Sequence, residues 1–200
     1  MRNYVRVFAM GLMCALPHAA FAQTVTVPPV PDNLEVPQGN QAFLVGHAFG
    51  SQNYVCAPDA TLGRVAWALF TPEATLFNEQ SEQLITHFNS PNPNPDPTQN
   101  GIVRATWESS GDTSRVWAKA NATSLDSAFV KAGAIPWVLL EVVGNAAGPT
   151  GGNSLGATTF IHRLNTVGGA APSTDCDNPQ DLGRKAFVPY KADYFFYKKN

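Results

Sequence analysis

The sequence predicts an all-β domain: an antiparallel β-sandwich or barrel of about 8–10 short strands, with one disulfide and at most short helices. Three observations point there. Glycine and proline number 16 each among 200 residues, which leaves little room for long helices. Apolar residues recur with period two over short runs rather than with the 3.6 period of a helix. Turn signals break those runs at the close spacing of a sandwich or barrel.

The elements follow in chain order. Arg2 and Arg6 precede an apolar run from Val7 to Leu16, and Ala20-Phe21-Ala22 fits an A-x-A cleavage pattern. This reads as an export signal over residues 1–22, with Gln23 as the mature N-terminus and a periplasmic or secreted destination. The run is too short for a membrane span, and no later run reaches ~18 apolar residues, so a membrane-spanning protein is not expected. Residues 23–41 carry Pro28, Pro29, Pro31 and Pro37 and read as an extended arm. A single domain follows from Ala42 to Asn200.

Within it, Arg64 to Phe70 reads as a strand with Val65, Trp67 and Leu69 on one face. Ile102 to Glu108 alternates cleanly, Val103, Ala105 and Trp107 opposing Arg104, Thr106 and Glu108. Ile135 to Val143 is apolar on both faces, with Pro136 near its start, where a missing N–H does least harm. Thr158 to Leu164 and Ala192 to Tyr197 are rich in Thr, Ile, Phe and Tyr, which suit a pleated surface. Alternate prolines from Ser90 to Pro97 predict an exposed loop, and the glycines of Gly144 to Gly156 predict a connection between two strands. Pro72 to Phe77 and Leu125 to Lys131 are the helical candidates.

Charged residues make up 14% of the chain, with a formal charge of −2 and a pI near 6.0. These values argue against nucleic-acid binding and against a charge-rich disordered chain. Export gives the cysteines a meaning. Cys14 falls in the signal, which leaves Cys56 and Cys176 to form one disulfide in an oxidising compartment.

The chemistry-bearing patterns are weak. Gly152-Asn153-Ser154-Leu155-Gly156 matches G-x-S-x-G, but a glycine loop precedes it and a strand follows, so a turn is the better reading than a nucleophile elbow. Gly144, Gly148 and Gly151 have no helix after them to receive a phosphate, and no cofactor is predicted. His47 shares a face with Phe43, Val45 and Phe49, His87 with Ile85, and His162 with Phe160 and Leu164. No two stand at ligand spacing, so they are only weak metal candidates and a metal is not predicted. His87, beside the long proline loop, is the best single residue for catalysis. Asp193, inside a Tyr-rich strand, is a second candidate, with a solvated position or a pairing with Lys191 as the simpler reading. Trp107 and Trp117 are candidates for stacking a ligand, Trp117 being the more exposed because Arg115 and Lys119 flank it.

A series of segments carries a family resemblance. In order they are Gly50 to Cys56, Val65-Ala66-Trp67, Leu84 to Phe88, Arg104 to Trp107, Val116 to Lys119, Gly133 to Trp137, Gly148 to Gly152, Thr158 to Ile161, Asn165 to Gly169 and Ala192 to Tyr197. Together they resemble the DUF3455 family, exported proteins of bacteria and fungi with no established activity. The resemblance spans about residues 42–197 and transfers no catalytic residues. His162 stands where the family usually has glutamine, and the proline loop lengthens the stretch between His87 and Trp107.

The functional expectation is an exported β domain, non-enzymatic, that binds a small molecule, a glycan or an envelope component. The alternative is a metalloprotein or enzyme using His87 with His47 or His162.

Overall fold

The computed structural model describes residues 25–200, so the segment 1–22, expected to be an export signal, lies outside the described residues. Eight strands form a closed antiparallel barrel in which each strand pairs with its neighbour in sequence and the last pairs with the first. They are β1 (Asn40–Asp59), β2 (Arg64–Phe77), β3 (Gln83–Pro91), β4 (Val103–Ser109), β5 (Arg115–Ser124), β6 (Trp137–Ala146), β7 (Thr158–Gly168) and β8 (Lys185–Lys199). The predicted sandwich-or-barrel class thus resolves to a barrel. Closure runs along β1 and β8 from Asn40 opposite Lys199 to Val55 opposite Lys185.

A barrel of eight strands has an interior that side chains can just fill. Here Trp107, Tyr194, Phe196, Leu76, Ile85 and Ile161 fill it, and Ala48, Ala74, Ala118 and Ala192 leave them room. Close strand approach requires Gly50, since a Cβ there would overlap Ala74 and the Glu73 carbonyl. The clean alternation of β4 matches its placement, with Trp107 inside and Glu108 outside.

A second apolar cluster lies on the outer face. Leu34, within a 3-10 turn at Asp32–Leu34, is fully buried against Leu139, Leu164, Phe195 and Tyr197. Val25, Val27, Val30 and Val36 join it, so the proline-rich arm lies across the barrel wall. Cys56 and Cys176 form the disulfide, 120 residues apart, and tie the β7–β8 connection to the far end of β1 beside Val65 and Trp67.

Two helical expectations are corrected. Pro72 to Phe77 is the second half of β2, because the 20-residue β1 extends its ladder down to His47 opposite Phe77. Pro72 is tolerated there, one pair from the bulge at Asn53–Tyr54. Leu125 to Lys131 is a single turn closed by Phe129 and Val130 N–H groups donating to the Asp126 carbonyl, and Gly133 at φ 75° prevents any longer helix. Ser90 and Pro91 are also not loop residues, since they complete β3 opposite Arg104 and Val103. No helix among the described residues is long and apolar enough to cross a membrane.

Candidate functional site

The barrel sends its three described histidines to three separate places. His87 points inward from β3 and stacks on Trp107 with ring centroids 4.3 Å apart. A carbonyl can only accept, so Nδ1–H of His87 donates to the Thr106 oxygen at 2.8 Å. Complete burial holds its pKa down to about 3, only partly opposed by that bond, so the ring is neutral. His162 points outward from β7 but lies under the arm. Its Nε2–H donates to the Leu34 carbonyl at 2.7 Å, and its Nδ1 accepts from the Tyr197 hydroxyl at 2.9 Å. Burial lowers its pKa as well. Both rings are therefore structural: each has its donor satisfied in a dry environment.

His47 is different. It stands on the outer face of β1, and barrel closure sets it directly opposite Asp193 on β8. Its Nδ1 lies 2.7 Å from Asp193 Oδ1, and its Nε2 lies 3.1 Å from Glu79 Oε1 on the β2–β3 turn. Two donors facing two carboxylates is an arrangement that the imidazolium satisfies and the neutral ring cannot. Partial burial opposes the charge, but Asp193 and then Glu79 outweigh it, so the pKa of His47 is raised above 6.5.

Asp193 is itself held in place. Asn165 Nδ2 donates to its second oxygen at 2.7 Å. Asn165 adopts φ 51° within the β7 bulge opposite this part of β8, a left-handed conformation that asparagine tolerates better than most residues. The bulge aims the Asn165 amide at the carboxylate. Asp193 does not pair with Lys191 as the sequence suggested. Lys191 instead lies over the Phe49 ring, 5.0 Å from its centroid, because the direct cross-strand neighbour of Asp193 is His47.

These groups line one side of a groove of about 660 Å³. Val25 of the arm, Phe43, Leu44, Leu84 and Phe195 supply its apolar surface. An imidazolium N–H beside an apolar trough sets a charged donor and a hydrocarbon surface side by side. It is not a metal cluster. The two carboxylates sit on opposite nitrogens of the ring and do not converge, and among the described residues no group of three or more His, Cys, Asp or Glu is placed to hold an ion.

The remaining candidates are elsewhere. Trp107 is fully buried in the barrel interior and offers no face to a ligand. Trp117 is 3% exposed, contrary to expectation: Ser90 at the end of β3 accepts its Nε1–H at 2.8 Å, and Pro91 and Pro93 stand beside it. Ser154 of the G-x-S-x-G pattern lies in the β6–β7 connection, bonded to Ser109 at 3.1 Å and Ser114 at 3.3 Å, and among the described residues no histidine bonds to it. Its backbone N–H and the Ser114 side chain donate to Asp112, which holds that carboxyl well below the usual range. Gly148 and Gly152 allow this approach, since a Cβ on either would overlap Asp112. The pattern is a strand connection plugged by buried Leu155.

The sequence names His47, as a weak metal candidate, and Asp193, as a weak catalytic one, separately, and it does not point to Glu79 or Asn165. The signal for Asn165 was an asparagine just past a strand pattern, a residue type suited to positive φ. Glu79 carried no signal of its own.

Residues 37–198 match the model of the DUF3455 family, described as a protein of unknown function. No curated protein and no solved structure matches the chain.

Proposed function

The chain belongs to the DUF3455 family, and from that premise we propose that it is an exported binding protein that holds a small organic ligand in the His47 groove. The observation that carries this reading is the pairing of one oriented imidazolium with an apolar trough of about 660 Å³. Export is supported by the tripartite pattern of residues 1–22 and by the Cys56–Cys176 disulfide, a bond typical of oxidising compartments. A library of metabolites and glycan fragments, screened by thermal shift on the wild type and on His47→Ala, tests the binding reading. The expected result is a ligand that raises the melting temperature of the wild type and not of the variant. A library with no such ligand, or hits that act equally on both proteins, refutes it. N-terminal sequencing of the native protein tests export: Gln23 is expected, and a chain beginning at Met1 refutes it.

A second reading has one observation behind it. Asp193 orients His47 as a carboxylate orients a general base or acid. In that reading His47 would move a proton on the bound molecule. Among the described residues Thr26 is the one hydroxyl side chain lining this groove, and none of them offers it a serine or cysteine nucleophile. Conversion of a screened ligand by the wild type and not by His47→Ala would favour it over simple binding.

A further inference from the structure

The two carboxylates on His47 are not equivalent. Asp193 is fixed by its strand and by Asn165, which occupies its second oxygen. Glu79 extends from a turn, its side chain is 64% exposed, and its contact in the site is with Nε2 of His47. An exposed ion pair of this kind contributes little, because water solvates the released carboxylate nearly as well. Glu79 is therefore a replaceable acceptor on Nε2–H of His47, the N–H that Asp193 does not take. Beside that N–H lies the apolar surface of Phe43, Leu44, Leu84 and Phe195.

We infer that the groove takes an amphipathic monocarboxylate, its head replacing the Glu79 carboxylate on Nε2 of His47 and its hydrocarbon body lying along the apolar wall. The exchange conserves the charge pairing of the site: the imidazolium keeps one carboxylate on each nitrogen, and Glu79 returns to water. Burial of the hydrocarbon supplies the gain that Glu79, lacking such a body, cannot. A primary amine would meet the like charge of His47, and an alcohol would forgo the charge-assisted bond. The charged groups that face His47 are Asp193 on β8 and Glu79 on the turn. The charge of His47 is lost as pH rises through its raised pKa, so carboxylate affinity falls across that range.

The inference rests on the binding reading above, and one titration separates their failures. Decanoate, decanol and decylamine are titrated into the full mature chain while the imidazole nitrogen signals of His47 are followed by NMR. Decanoate is expected to bind best and to shift the Nε2 signal. Glu79→Ala is expected to tighten decanoate by up to about five-fold, the worth of an exposed pair, and His47→Gln is expected to weaken it. Decanol binding as tightly as decanoate, or decanoate binding that ignores His47→Gln or weakens in Glu79→Ala, overturns the carboxylate inference and leaves the groove standing. Failure of all three probes to bind overturns both.

Discussion

Acidification should weaken the barrel through His87, and the size of the effect follows from its burial. The ring lies inside the barrel against Trp107 and Tyr194, where burial holds its pKa to about 3 against an ordinary 6.5. The unfolded chain takes up a proton below 6.5 and the folded one does not until about 3. The folded pKa is depressed, so the associated stability is fully present above 6.5 and is lost as pH falls across that window. At about pH 4.5 the loss is about 3 kcal/mol, at about 1.4 kcal/mol per pH unit. That is a large share of the 5–15 kcal/mol typical of a domain, roughly speaking. Urea unfolding of the wild type and of His87→Gln, at pH 7 and 4.5, isolates the effect, because His47 and His162 titrate in both proteins. His87→Gln is expected to start less stable and to lose about 3 kcal/mol less on acidification. Equal losses in the two proteins would refute the reasoning.

Two further outcomes are expected. Removing the Cys56–Cys176 bond should cost at most about 5 kcal/mol on the chain-entropy model for a closure of this length. Denaturant melts of each Cys→Ser variant and of the double variant should then show equal, non-additive losses. Leu34→Ala empties a fully buried position under the arm and should cost roughly 2–5 kcal/mol. The His162 ring signal should titrate closer to 6.5 in that variant as the arm loosens, and an unmoved titration would show that Leu34 does not anchor it.

The parts of this fold that are legible in sequence are those written locally. The alternation around Trp107 places β4, and Gly148 to Gly156 fall in the β6–β7 connection as expected, whereas Gly144 to Ala146 extend β6 opposite Trp117 to Arg115. Strand length is less local. Pro72 to Phe77 becomes strand because β1 is long enough to pair with it, a tertiary demand that overrides the proline. The exposure of Trp117 is non-local for a similar reason: Arg115 and Lys119 mark an outer face, but its indole is met by Ser90 at the end of β3. The site is the least local feature of all. His47 and Asp193 are 146 residues apart, and nothing in either neighbourhood says that closure will set them opposite each other. Glu79 and Asn165 reach that pair from a turn and a bulge, whose direction depends on the finished ladder.

Closure through β1 and β8 has a consequence for how the molecule is made. The first strand must wait for the last, a pairing of high sequence separation that folds slowly. Until β8 arrives, β1 and β7 each present a row of unpaired backbone groups, a template for joining another chain. The same step delivers Asp193 to His47. A nascent or truncated chain lacking β8 therefore has an open sheet and an unheld imidazole together, and the groove exists only in molecules whose seam is sealed.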